Sequence, residues 1–279
     1  MRFSATGANR TARCTRIAVL LRAVLVAAGL AAVPSAYAQS GTWMGERWSF
    51  EVTPYLWAAG IKGDTQVGSL PSTSVDVGFS DILDHLDFAA MGTFEARKGR
   101  WGFLFDAVYM KLSASGTAMR TGPGPIGATA TATADLKVEQ TMLTGAAVYR
   151  LAEGPTVFDV LGGLRYTKLD VSGDVVATLF GRTGIENRSG DKDWTDPIVG
   201  FRAQHRIADR WSLAGYGDIG GFGVGSELTW QVAAGVDYAI SRTLTARGGY
   251  RILKVDYDKD GVVYDMKTSG IYLGLGIRF

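Results

Sequence analysis

Two histidines and one spaced run of aspartates are the residues of this 279-residue chain whose types could do chemistry. His85 stands among Asp81, Asp84 and Asp87, a setting in which an imidazole could serve as a general base beside acidic partners. No nucleophile lies at a spacing that completes a hydrolytic site, and the plain alternative is a solvated acidic loop. His205 precedes Arg206 and the turn Ala208-Asp209-Arg210, at the opposite end of its segment. Asp256-Tyr257-Asp258-Lys259-Asp260-Gly261 offers oxygen ligands at alternate positions and a turn glycine, which are the needs of Ca²⁺. Asp265 could close a small site there. The position at which an EF-hand supplies its bidentate glutamate is Lys267, so no EF-hand is present, and a tight hairpin on Asp260-Gly261 accounts for the same residues without metal. The run Gly220-Gly221-Phe222-Gly223-Val224-Gly225 leads into a strand pattern instead of a helix, and so reads as a hairpin and not a phosphate loop. Apart from the possible Ca²⁺, no cofactor is expected.

The elements that must hold these residues are strands. In the last nine residues Ile271, Leu273, Leu275, Ile277 and Phe279 share one parity, and Tyr272, Gly274, Gly276 and Arg278 share the other. A strand with one greasy face, ending on an aromatic, is what a lipid-facing outer-membrane strand requires, and Phe279 resembles the terminal signal read by barrel-insertion machinery. At the other end, basic residues at Arg2, Arg10, Arg13, Arg16 and Arg22 precede an apolar run from Ala23 to Val33 and Ala36-Tyr37-Ala38. Residues 1–38 therefore read as a secretory signal peptide, 39–46 as a short periplasmic segment and 47–279 as a barrel. Removing the leader takes five of the 29 Lys+Arg and none of the 27 Asp+Glu, which leaves 24 against 27, a formal charge of −3. No nucleic-acid partner is implied. The single cysteine, Cys14, leaves with the leader, which excludes disulfide and thiolate chemistry from the mature chain.

Beyond the leader no apolar stretch is long enough for a spanning helix, so a membrane protein of this composition must be a closed antiparallel β-barrel. Pairing alternating segments with short turns at Lys98-Gly99-Arg100, Glu153-Gly154-Pro155, Ala208-Asp209-Arg210 and Ser241-Arg242 gives an all-β transmembrane barrel. It has ten strands, with eight or twelve also possible, and both termini are periplasmic. Ser74 to Phe79 could hide further strand, and Phe79 to Leu86 has the spacing of a short amphipathic turn at the barrel mouth. Parity points Leu228, Trp230, Val232, Ala234, Val236 and Tyr238 to lipid, with Trp230 near the midplane and Thr229 inside.

The inward set collects both signs: Glu51, Glu95, Asp106, Asp159, Asp196, Asp218, Glu227 and Asp237 against Arg97, Arg165, Arg202, Arg247 and Arg251, with Arg278 at the end. A lumen of about ten strands is little wider than side chains can fill, so these charges should pair into a plug. Arg247 and Arg251 share a parity with Leu253 and Val255, which a bulge near Arg251 would reconcile with a polar interior.

Four stretches then carry a resemblance: Trp194 to Gly200, Gly217 to Ser226, Leu228 to Gln231, and Gly249-Tyr250-Arg251. The chain resembles a family of small proteobacterial outer-membrane barrels within the porin-like superfamily. The resemblance implies fold and location, and it brings no catalytic residues. The expected partners are outer-membrane lipid and lipopolysaccharide, periplasmic chaperones and barrel-assembly machinery, with any small solute unnamed. The expected role is structural or narrow permeation. A general porin, a surface hydrolase around His85 and an adhesin acting through the outer loops are the competing roles.

Overall fold

The computed structural model describes residues 47–67, 73–121, 129–179, 182–259 and 261–279, so the expected leader and the segment 39–46 lie outside the described residues. Its strands are β1 (Ser49–Val67), β2 (Thr73–Val77), β3 (Leu86–Lys98), β4 (Trp101–Thr121), β5 (Thr129–Ala152), β6 (Thr156–Leu179), β7 (Arg182–Arg206), β8 (Trp211–Gly221), β9 (Leu228–Ala239), β10 (Leu244–Lys259) and β11 (Val262–Arg278). One helix, α1 (Phe79–Leu83), lies between β2 and β3. All ladders are antiparallel, and β11 pairs with β1, which closes the sheet. The short β2 pairs with β1 alone and occupies no stave of its own, so the barrel has ten staves.

Closure follows from the sequence alternation. On β11 the exposed Ile271, Leu273, Leu275 and Ile277 alternate with the buried Thr268, Gly270 and Tyr272. The same alternation on the neighbouring strands leaves large apolar side chains on the outside and, near the short turns, polar ones inside. Near the short turns the outward aromatics pair across strands. Trp101 meets Tyr149, Trp211 meets Tyr238, Phe158 meets Phe201, and Phe50 stacks between Phe94 and Phe279, so that end carries an aromatic girdle. Gly99, with φ of +58°, makes the β3–β4 turn possible at a left-handed backbone position.

Several strands outrun the membrane. β5 and β6 have 24 residues and β7 has 25, where about 9–11 suffice to span. The stretches 115–134 and 173–191, rich in small and polar residues, extend these strands upward wherever they are described. β8 and β9 have only 11 and 12 residues, so the rim slopes from a tall side at β4–β7 to a low side at the Gly221–Glu227 hairpin.

Register across β9, β10, β11 and β1 shows where the apolar band stops. The outward row Val236, Gly248, Leu273, Leu56 lies mid-band, and two steps further come Ala234, Tyr250, Ile271, Ala58. The row Trp230, Lys254, Lys267, Lys62 ends the band, and the next is Asp256, Asp265, Asp64. From Leu244 to Ile252 the apolar part of β10 runs nine residues. At about 3.3 Å each and a tilt of about 40° these residues cover roughly 23 Å, close to the height of an outer-membrane band. Trp230 therefore sits at the interface and not near the midplane as its position in the strand suggests, because β9 begins almost at the rim.

β1 changes partners along its length. Residues Ser49 to Pro54 pair with β3, ending at Pro54 with Gly92, and residues Ile61 to Thr65 pair with β2. Between them Tyr55 to Gly60 pair only with β11, while Leu86 and Phe88 to Met91 pair only with β4. Pro54 has no N–H to offer, and the ladder stops there. The wall thus has a window between β1 and β3, roofed by β2 and α1. The carbonyl of Val77 and the backbone of Gly78 and Phe79 cross the outer side of Gly60, where a Cβ would crowd them.

The charged lumen as candidate functional site

The inward faces near the short turns build an ion cluster. Arg202 on β7 donates from Nη1 and Nη2 to the two carboxylate oxygens of Glu95 on β3, at 2.7 and 2.6 Å, and from Nε to Asp159 on β6 at 2.8 Å. Arg97 bridges the same two acids at 2.9 Å each, and Arg150 donates to Asp159 at 2.9 Å. Three guanidinium groups thus surround two carboxylates, all with side chains at most 8% exposed. Charge-assisted bonds of this length in a site that excludes bulk water are the strong kind, and they make a buried cluster tolerable. Beside it, Arg247 binds Glu51 at 2.6 Å and the Thr53 hydroxyl at 2.7 Å, Arg278 reaches Glu51 at 3.3 Å, and Gln204 donates to Asp237 at 3.2 Å.

A second tier lies further in. Arg165 donates to Asp218 at 2.7 Å, and the Tyr216 hydroxyl donates to the same oxygen at 2.6 Å. The Tyr55 hydroxyl donates to Asp106 at 3.1 Å. Arg251 donates to Gln231 at 2.8 Å, and its guanidinium carbon lies 4.2 Å from the centre of the Trp57 ring, a cation–π contact. Asp196 accepts from Trp194 Nε1 at 3.1 Å and from the backbone N–H of Ser226 at 2.6 Å, so it fastens the Gly221–Glu227 hairpin to β7.

Above these tiers the lumen turns apolar. Ile61, Val108, Met110, Met142, Ile198, Leu253, Val255 and Met266 are all buried there, with the Trp194 ring tilted against Tyr257 at 4.7 Å between centroids. Ile82 of α1 belongs to this same buried cluster.

Twelve of the fourteen expected lumen charges are buried: Glu51, Glu95, Arg97, Asp106, Asp159, Arg165, Asp196, Arg202, Asp218, Asp237, Arg247 and Arg251. Arg278 is partly buried, and Glu227 departs further. It is exposed before the start of β9, and its carboxylate lies 4.0 Å from Lys259 at the rim. No bulge forms near Arg251. β10 keeps unbroken register with β9 and β11, and Leu253, Val255 and Tyr257 face inward because the upper lumen is apolar. Arg150, Gln140, Gln231, Tyr55 and Tyr216 also belong to the interior, and each falls on the inward parity of its strand.

The rim residues take up other contacts. Nδ1 of His85 lies 2.8 Å from the carbonyl of Asp81, inside the α1 turn, and Asp87 accepts from the Ser113 hydroxyl. His205 pairs with the Thr156 hydroxyl near the short turns. Asp256, Asp258 and Asp265 share the outward face, where Asp265 forms an ion pair with Lys254, and Asp260 lies outside the described residues. Among the described residues no three His, Cys, Asp or Glu side chains gather so as to hold a metal ion. Phe279 is exposed, and its backbone exchanges hydrogen bonds of 3.0 and 3.1 Å with Phe50.

No protein-family model and no curated protein sequence matches the chain. Solved structures do. The outer-membrane protease OmpT from Escherichia coli superposes with a TM-score of 0.50 at 9% identity, over 84% of this chain and 97% of that one. The translocator domain of the autotransporter NalP from Neisseria meningitidis gives 0.38 at 11% identity, over 83% and 88%. Ail, the attachment invasion locus protein of Yersinia pestis, gives 0.32 at 14% identity, over 84% and 100%. At these identities the likeness is one of fold, and the fold is that of an outer-membrane β-barrel.

Proposed function

We propose that the chain is a closed barrel of the bacterial outer membrane whose role is structural and not that of an open pore. The short turns and both termini face the periplasm, residues 1–38 are a cleaved leader, and assembly uses periplasmic chaperones and the insertion machinery acting on the last strand. The observation that carries this reading is the chord from Arg202 on β7 to Glu95 on β3. These strands are four staves apart, so the bidentate pair spans the lumen instead of lining it. The apolar layer above adds a second barrier, because a hydrated ion would have to shed water to enter it. Reconstitution into planar bilayers tests the reading. The expected record shows no large ohmic steps, and steps of porin size from the unaltered protein would overturn it.

One observation favours a further role at the cell surface. The strands β4–β7 rise well beyond the band, so the barrel holds a rigid sheet away from the membrane, as an adhesin or receptor would need. Deletion of residues 115–134 should leave the barrel folded and abolish any binding to cells or matrix that the intact protein shows.

A further inference from the structure

We propose that the window between β1 and β3 is a lipid site. An anionic lipid lays one acyl chain in the window and sets its phosphate against Lys62 and Lys267. This inference rests on the membrane location proposed above and goes beyond it.

Four observations converge. The window has a defined depth: its edge runs from Leu56 in the mid-band row through Ala58 to Gly60, one row short of the lysines that end the band. Small residues stand along both edges, Ala58 on β1 and Ala89 and Ala90 on β3, and neither edge has ladder pairing to the other. Unpaired backbone edges in hydrocarbon are costly unless something covers them, and an acyl chain seated in the slot keeps the groups behind it from direct exposure to bulk lipid. Behind the slot lies Trp57, with Arg251 over its ring, and above it come Ile61, Ile82 and the partly buried Met91 of the apolar cluster.

Charge completes the match. Lys62 and Lys267 are cross-strand neighbours on the outward face, one row above Gly60, and Lys254 continues the row. Lys62 is shared with Asp76 at 3.1 Å and Lys254 with Asp265, while Asp64, Asp256 and Asp265 form the next row outward. Positive charge therefore lies nearest the hydrocarbon and negative charge beyond it. A lipid phosphate sits at that inner boundary, so the order of signs suits an anionic headgroup whose chains point down toward the window.

The test uses the full folded protein in vesicles whose acyl chains carry bromine, a contact quencher of indole. Trp57 is read as the difference between the intact protein and Trp57→Phe, and Trp194, buried in the upper lumen against Tyr257 and Tyr264, is read through Trp194→Phe. In brominated phosphatidylglycerol Trp57 should lose most of its emission while Trp194 keeps it. Filling the slot with Ala58→Leu and Ala90→Leu should restore Trp57, with folding checked by resistance of the barrel to detergent at room temperature. With brominated phosphatidylglycerol as a minor component in phosphatidylcholine, Lys62→Gln with Lys267→Gln should weaken the quench, and with brominated phosphatidylcholine alone it should not. An unquenched Trp57 beside quenched outward Trp101 and Trp211 overturns the window. Equal quenching of Trp57 and Trp194 overturns it too. If Trp101 and Trp211 are also silent, the membrane location fails and the window with it.

Discussion

Arg202 and Glu95 are 107 positions apart in sequence and meet through two hydrogen bonds of 2.6 and 2.7 Å in the middle of the barrel. Each lies on the inward parity of its own strand. The two strands share no ladder, so the contact exists because the sheet curls round the lumen.

Replacing Arg202 by Ala should therefore take the bidentate partner from Glu95 and one of three cations from Asp159, leaving Arg97 alone on Glu95 in a buried site. Loss of one partner of such a pair costs about 3–5 kcal/mol unless water enters. The expected outcome is a lower unfolding temperature in detergent or new conductance in planar bilayers. An unchanged melt together with an unchanged record would show that the chord is not what closes the lumen.

The register corrects the choice of position for a lipid-face test. Leu273 is 63% exposed in the mid-band row, so Leu273→Arg should cost about 2–4 kcal/mol of insertion free energy. Trp230→Arg, in the lysine row, should cost about 0–1 kcal/mol. Refolding titrations into vesicles measure both, and the reverse order would mean that the band is placed wrongly along the barrel axis.

Gly270 sits where β11 passes the carbonyl of Ala58, and a Cβ there would overlap it. Gly145 has nothing within 4 Å of its would-be Cβ. Gly270→Ala should lower the unfolding temperature, while Gly145→Ala should leave it near the wild-type value. A neutral Gly270→Ala in thermal melts would show that the β1–β11 joint yields easily.

Removal of Phe279 should impair assembly more than removal of residues 39–45. The residue stacks on Phe50 at 6.0 Å and closes the last rungs of the β1–β11 joint, so its loss removes contacts as well as any terminal signal. Heat-modifiable folded protein in isolated membranes measures the effect, and normal levels after deletion would count against it.

Most of the barrel was legible from parity, because lipid outside and charge inside give a period of two on every strand. Strand height was not. Above the membrane a strand such as the upper part of β6 faces water and has no lipid side to mark it, so Gly- and Thr-rich strand looks like loop. The upper lumen was misjudged for a related reason: Leu253 and Val255 seem to belong outside only if every interior position must be polar. Glu227 has the inward parity yet lies past the end of its strand, and parity cannot report an end. The window left a single local sign, Pro54, since the missing rungs join strands separated in sequence by β2 and α1, and only register in three dimensions reveals them.

The chord has a consequence for how the molecule forms. While the sheet is still open, Arg202 and Glu95 lie on distant staves and each keeps its own hydration. Curling round the lumen brings them together, and that same step must strip water from both. Curling of the sheet and desolvation of these charges are thus coupled. The charges act as a lock, and once engaged it opposes any return to the open sheet, because reopening would strand five buried ions before water could reach them.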